Sequence, residues 1–311
     1  MAANLTPQLP PLDISRAPEG RAPEGGEVGP VQSGWRLAAQ EFARNRLALI
    51  GVGVVVFFVV FCFAGPLFYH GNILNTAYTG TLPPGPGHPL GTNDQGFDEL
   101  ALLMNGGRAA LEVGFLAAAF AIIIGAVVGA VSGLAGGVVD SLMMRVVDVF
   151  LSIPILFVVL IIAVRYGSTV LSLSILIGVF SWLVPARLVR GEVLTLKVRD
   201  FVSAARTAGS TRVRLINRHL IPNALSVIIV NVTFQVADAI LLVAALGFLG
   251  YGLHYPTQDW GDMLASGISY MQAGYWWLIY PVGACIVLVV MACNLIGDAL
   301  RDSLDVRLRR R

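Results

Sequence analysis

The sequence predicts an all-helical membrane protein with six transmembrane helices and both termini on the cytosolic side. Three observations carry that prediction: an apolar composition, six runs long enough to cross a bilayer, and positive charge placed on one side. The 311 residues are 56% hydrophobic and 13% charged, about half the charged share usual in soluble domains. Mean hydropathy is +0.75. The runs lie near 47–68, 109–134, 147–164, 169–188, 225–248 and 277–297, each close to the ~20 residues that cross a ~30 Å hydrocarbon core. Backbone groups left unpaired in lipid cost several kcal/mol each, so every run must be helical.

Taken in order, residues 1–46 form a cytosolic tail. A tandem RAPEG repeat at 16–25 lies in a stretch rich in Pro, Gly and Glu, too poor in apolar side chains to fold, so 1–34 is expected to be disordered. Residues 35–46 read as an amphipathic helix on the membrane surface. The tail holds no apolar segment, and the first span, 47–68, is expected to act as its own insertion signal. An extracytoplasmic segment follows over 69–108, stiffened by Pro83, Pro84, Pro86 and Pro89 and leading into Asp98–Gly107. It reads either as a contact for a substrate-delivery protein or as a lid over the spans.

The remaining five spans make one transmembrane domain, 109–302, followed by a basic cytosolic tail, 303–311. In the second span Gly125, Gly129 and Gly133 recur every fourth residue, a flat face for close helix packing rather than a gate. Asp148 and Ser152, before Pro154, are expected to cap or hydrogen-bond near the cytosolic end of the third span, with an inner gate as the alternative. Arg165-Tyr166-Gly167-Ser168 reads as a hairpin turn. Cys62, Cys285 and Cys293 all fall inside spans and read as small apolar packers, with no disulfide or metal framework.

Orientation follows from the basic residues. With the N-terminus inside, all of the 21 Lys and Arg except Arg108 and Arg165 fall on the cytosolic side, as the positive-inside rule requires. Trp260, Tyr270, Tyr275, Trp276, Trp277 and Tyr280 gather around the last outer loop and fit an interfacial aromatic belt.

Catalytic constellations are missing from the sequence. A phosphate-binding loop needs Gly-x-x-x-x-Gly-Lys-Ser/Thr, and the only lysine, Lys197, follows Leu196. His70, His88, His219 and His254 form no H-E-x-x-H pair, and there is no G-x-S-x-G elbow. The chain is therefore read as a non-enzyme, and any ATP-driven work would have to come from a partner.

Between the fourth and fifth spans, residues 200–223 read DFVSAARTAGSTRVRLINRHLIPN, a basic segment too polar to insert. Ala204, Ala205, Gly209 and Pro222 stand at the spacing of the EAA loop of the membrane subunits of ATP-binding-cassette importers; Ser203 stands for the usual Glu, and His219 and Ile221 for the late Ile and Leu. Val202, Ala205, Val213 and Ile216 supply apolar positions for a short surface helix. The two alanines add little bulk, Gly209 permits close approach or a change of direction, and Pro222 is expected to end the local helix.

The resemblance runs over roughly 42–309. FARNRLALIG (Phe42–Gly51), His88-Pro89-Leu90-Gly91-Thr92-Asn93-Asp94 with Gly96 and Asp98, Phe248-Leu249-Gly250-Tyr251-Gly252, Trp260-Gly261, and Asn294-Leu295-Ile296-Gly297-Asp298 with Leu300-Arg301-Asp302 and Leu304-Asp305 occur in family order. Phe97 replaces an expected Arg, and Asn93 an expected Asp. Together they resemble the C-type permease of dipeptide and oligopeptide importers, a family sharing its fold with nickel and glutathione importers. The resemblance implies a type I permease fold in a bacterial inner membrane. It implies an ATPase-coupling role for Ser203, Ala204, Ala205, Gly209, Arg218, Ile221 and Pro222. It also implies a second permease subunit, two nucleotide-binding domains holding ATP and Mg2+, an extracytoplasmic binding protein and a short-peptide cargo, with no cofactor in this chain and no nucleic acid.

In the fifth span Asn231, Gln235 and Asp238 fall on one helical face. Polar groups at bilayer depth normally face a bundle interior or a watery cavity, so this stripe is expected to line the translocation path; hydrogen bonding between helices is the competing reading. Relatives often carry a Glu where Val243 stands, which raises the question of whether Asp238 takes over its role. Rival functions are import of nickel, glutathione or another small solute, and a proton-coupled secondary transporter using Asp238. The latter predicts internal repeats with broken helices, which the sequence does not reveal.

Overall fold

The computed structural model describes residues 34–71, 80–166, 169–253 and 257–309. The RAPEG tail, Gly167-Ser168 of the expected hairpin turn and the last two residues of the basic tail lie outside the described residues. All regular elements among those described are helical. Helix α1 (Gly34–Arg44) lies against the C-terminal helix, α13 (Tyr280–Arg309), and Asn45 caps α2 (Arg46–Phe63) by accepting from the N–H groups of Leu47 and Ala48. Gly51 lets α2 approach α13, since a Cβ there would stand 2.9 Å from the carbonyl oxygen of Ala292. A short α3 (Gly65–Phe68) follows.

The segment 80–98 is pinned to the bundle. Buried Thr92 accepts from the N–H of Leu82 at 2.8 Å and donates to the carbonyl of Gly80, while Trp277 donates its ring N–H to the Thr92 carbonyl. Asp98 caps α4 (Glu99–Ala135) at the N–H of Ala101 and accepts from the Tyr69 hydroxyl at 2.6 Å. Helix α4 begins ten residues before the expected second span and runs through the centre of the fold, packing on α2, α7, α8 and α11.

The third and fourth spans are bent pairs. Helix α5 (Gly137–Leu151) and α6 (Ile155–Tyr166) meet at 76°, and α7 (Val170–Ser181) and α8 (Leu183–Leu196) at 45°. Pro154 and Pro185 explain both bends, because proline lacks an N–H and clashes with the preceding turn. Broken helices, which the sequence did not reveal, are thus present. The third span also starts earlier than 147, and α8 continues past 188 to Leu196, so Arg187, Arg190 and Glu192 are helical rather than part of a loop. Among the described residues four helices are long and apolar enough to cross a membrane, or up to six when each bent pair counts as one span.

Helices α9 (Asp200–Thr207) and α10 (Arg212–Leu215) make the polar connection. A π-turn, Ile216–Leu220, carries α10 directly into α11 (Ile221–Phe248), so Pro222 does not end the helix as expected. The wider turn relieves the contact between the proline ring and the carbonyl four residues back. Helix α12 (Trp260–Ile268) and two 3-10 turns lead to α13. The free cysteines Cys62, Cys285 and Cys293 are buried in the cluster that joins α2, α4, α11, α12 and α13.

Candidate functional site: a groove between α8 and α11 and the connection beneath it

The α4–α8 contact sets the position of α8. A Cβ on Gly125 would meet Pro185 Cβ at 2.6 Å and one on Gly133 a methyl of Val193 at 2.8 Å, while one on Gly129 would strike the carbonyl oxygen of Ala186. Asp140 on α5 ties the same region together. It accepts two hydrogen bonds from Arg190 of α8, at 2.5 and 2.7 Å, and one from the buried Ser132 of α4. Lys197 donates to the Gly133 carbonyl at 3.0 Å, and Arg187 pairs with Asp148 near the α5–α6 bend. Ser152 donates to the carbonyl of Val149 and terminates α5.

The opposite flank of α8 is open. A cavity of about 630 Å³ lies between the α5–α6 bend, the α7–α8 bend and α11, with Pro154, Phe180, Val184 and Leu242 among its apolar walls and Gln235 and Asp238 as its polar side chains from α11. Asp238 is exposed to this cavity, whereas Gln235 is buried and donates its amide to the carbonyl of Ser181 at 3.3 Å. That carbonyl would have bonded to residue 185 in a regular helix, but Pro185 has no N–H. Gln235 thereby satisfies a group freed by the bend.

Asn231 does not join them. It is half-buried in a second cavity of about 440 Å³, lined also by Leu188 and Glu192 of α8, Asn223, Ser226 and Phe234 of α11, and Arg301 of α13. The spacing revealed the polar stripe, but not its division, which depends on where α8 bends and where α13 ends. Glu192, Ser226 and Arg301 went unrecognised because they come from three segments with no common sequence pattern. Val243 is fully buried in a cluster with Val113, Ile177 and Leu246, away from the face that holds Asp238.

The connecting segment is anchored from within and bare outside. Val202, Leu215 and Leu220 are buried with Val189, Val193 and Ala224, and Ala205, Ile216 and Ile221 pack partly against them. Ser203, Ala204, Gly209, Arg218 and Pro222 are exposed, and Ser203 reaches only the Arg199 carbonyl, at 3.5 Å. Val213, one of the apolar positions of the expected surface helix, is 67% exposed, and Val198 and Phe201 are exposed as well, as are Arg199, Arg206, Arg212, Arg214 and Arg218 of the same segment. Gly209 holds φ +79°, a left-handed turn after α9 that favours glycine. A Cβ there would meet nothing within 4 Å.

At the far end, the fully buried Asp259 caps α12. It accepts from the N–H groups of Leu253, Gly261 and Asp262 at 2.8 to 3.1 Å, and Gly247 and Gly252 leave space for its carboxylate. Burial pushes its carboxyl up from the ordinary range, against the pull of those three donors. Nearby, the Asp94 carboxylate raises the Tyr270 hydroxyl that donates to it at 3.2 Å.

A bundle of bent, apolar spans with cavities beside α11 and a basic connection is the architecture of a polytopic membrane protein. Residues 121–310 match the family described as "Binding-protein-dependent transport system inner membrane component", and residues 33–84 match the "N-terminal TM domain of oligopeptide transport permease C". The chain is 35% identical over 281 residues to a dipeptide transport system permease protein of Bacillus subtilis (strain 168), covering 90% of this chain and 87% of that one. It is 36% identical over 283 residues to an oligopeptide transport system permease protein of Escherichia coli (strain K12), covering 88% and 92%. The chain belongs to the family of inner-membrane components of binding-protein-dependent transport systems, and is a multi-pass membrane protein of that family's type I permease fold.

Proposed function

We propose that this chain is the permease subunit of an ATP-driven importer of short peptides, and that the groove between α8 and α11 is its share of the translocation path. The observation that carries the reading is the match along nearly the whole chain to permeases named for dipeptide and oligopeptide transport. The second permease subunit faces the groove, an extracytoplasmic binding protein delivers cargo, and two ATPase subunits hold ATP and Mg2+ beneath. ATP-driven closure of those subunits moves segment 200–223, and the spans reopen outward to take the next peptide. Its inner face is fixed to α8 and α11 through Val202, Leu215 and Leu220, so a push on the exposed face moves both walls of the groove.

Ser203, Ala204, Ala205, Gly209, Arg218, Ile221 and Pro222 belong to the coupling segment. The exposed members meet the ATPase, and the partly buried Ala205 and Ile221 pass the movement inward. Exposed Val198, Phe201 and Val213 offer apolar anchors within a basic rim, the arrangement that gives a docking surface both affinity and orientation. Both termini lie inside. A cysteine at Ser210 is then shielded from an impermeant thiol reagent in intact cells while one at Thr257 reacts; the reverse pattern inverts the orientation.

The deciding experiment is uptake of dialanine by the complete complex in proteoliposomes, with binding protein outside. ATP-dependent uptake resisting competition by nickel or glutathione is the expected result. Uptake of those solutes instead would transfer the chain to a neighbouring cargo class. The proton-coupled alternative draws support from the bent spans and from Asp238, and uptake driven by a pH gradient without ATP would establish it.

A further inference from the structure

We infer that the smaller cavity, at the end of the groove nearer the coupling segment, is a release-side site for the two charged ends of a short peptide. This rests on the peptide-importer reading and deepens it. The cavity of about 440 Å³ brings together one carboxylate, Glu192, one guanidinium, Arg301, the amides of Asn223 and Asn231 and the hydroxyl of Ser226. Glu192 and Arg301 come from α8 and α13, on either side of the α11 wall that carries the other three. Among the described residues no ion pair joins Glu192 to Arg301 and neither side chain makes a hydrogen bond, although the charge of Arg199 also acts on Glu192. The amide of Asn231 and the hydroxyl of Ser226 are half-buried and bond to nothing described, and Asn223 uses only its amide N–H, on the His219 carbonyl at 2.6 Å.

Glu192, Ser226 and Asn231 are half-buried and Asn223 and Arg301 exposed, and polar groups that do not satisfy one another are open to a ligand or to water. This set matches a zwitterionic peptide group by group. The carboxylate accepts from the peptide ammonium, and the guanidinium donates in a fork to the peptide carboxylate. The amides and hydroxyl serve the peptide bond between them. Leu188, Val227, Val230 and Phe234 supply apolar wall for a side chain.

The contrast with the larger cavity supports a division of labour. There the polar contribution of α11 is Gln235, which already donates to Ser181, and the single carboxylate Asp238. A site with one charge takes cargo of varied ends, whereas one with both charges holds a free peptide by its termini. At the inner end, such a site occupied from the cytosol delays the next cycle.

The test uses the assembled complex in nanodiscs without binding protein, with dialanine, N-acetyl-dialanine and dialanine amide as probes in calorimetric titration. Each lost charge-assisted bond should weaken binding about tenfold. Acetylation should therefore weaken binding to the wild type but not further to Glu192→Gln, and amidation to the wild type but not to Arg301→Gln. Equal penalties in wild type and both variants, or no dialanine binding by a complex that imports dialanine normally, overturns the inference and leaves the importer reading standing. A complex that imports no peptide at all overturns both. Size-exclusion profiles and unfolding temperatures matching the wild type establish that each variant is folded.

Discussion

Helix α8 has two unlike flanks. Towards α4 it is closed: Gly125, Gly129 and Gly133 bring the backbones so near that a single methyl group would collide, and the Asp140–Arg190 pair locks the seam at one end. Towards α11 it is open beyond the contact of Val189 and Val193 with Ala224: Val184, Leu188, Gln235 and Asp238 border two cavities, and among the described residues only the Gln235 to Ser181 hydrogen bond crosses between α7 and α11 there. The difference follows from how helices associate in lipid, where close approach through small residues and a few polar bonds replaces the hydrophobic drive. Beyond the end where Val189 and Val193 of α8 are buried with Ala224 and Ile228 of α11, the two helices part, and space for water and cargo remains.

The largest effect should come from closing that contrast on the packed side. Gly129→Leu places a side chain against the Ala186 carbonyl and the backbone of α8, where overpacking costs about 1–3 kcal/mol or more. Assembled complex should be lost from detergent extracts. Leu242→Trp, adding comparable bulk on the open side, should leave assembly intact and block uptake. If both variants assemble equally, the two flanks are not different in kind.

Gly209→Glu ranks next. Because no atom of this chain lies within 4 Å of a Cβ at that position, the change costs the fold only the strain of the left-handed turn, about 1 kcal/mol. Uptake should nevertheless stop and ATP hydrolysis lose its dependence on cargo, while the permease subunits still associate. Gly209→Asn, which tolerates that turn, should retain more transport. Normal uptake by Gly209→Glu would remove the coupling role from this loop.

Asp140→Asn tests the lock directly. It weakens two charge-assisted bonds to Arg190, and about 1.5–3 kcal/mol of stability should be lost, read as a lower unfolding temperature with cargo preference unchanged. Smallest in structural terms is Asp238→Asn. It keeps shape and removes charge in the open cavity, so uptake or preference between cationic and anionic peptides should shift severalfold while the unfolding temperature holds. An effect on assembly instead would make Asp238 a helix-pairing residue.

The closed flank was half legible in the sequence. Three glycines at four-residue spacing announce a packing face, but nothing in their own helix names α8 as the partner. Asp140 and Arg190 lie 50 residues apart and become a pair only once the chain has folded back. The open flank was legible as a polar stripe, since Asn231, Gln235 and Asp238 interrupt an apolar run. Its division into two cavities depends on bends at Pro154 and Pro185, and prolines in membrane helices do not announce from sequence whether they bend the helix. Pro222 shows the converse, a proline absorbed by a π-turn without ending its helix. The coupling segment was identified by spacing, yet which of its apolar positions turn inward was not: Val202 does and Val213 does not, because α9 and α10 are separate short helices divided by the turn at Gly209.

The most direct measurement of whether the α8–α11 groove carries peptide is thiol protection in the turning-over complex. With the three native cysteines replaced by alanine, one cysteine is placed at Leu242 in the larger cavity and another at Leu116 on the outer surface of α4. If the groove is the path, dialanine with binding protein and ATP should slow labelling at residue 242 and leave labelling at residue 116 unchanged. Labelling at 242 that is indifferent to peptide, in a complex that imports it, would place the path elsewhere.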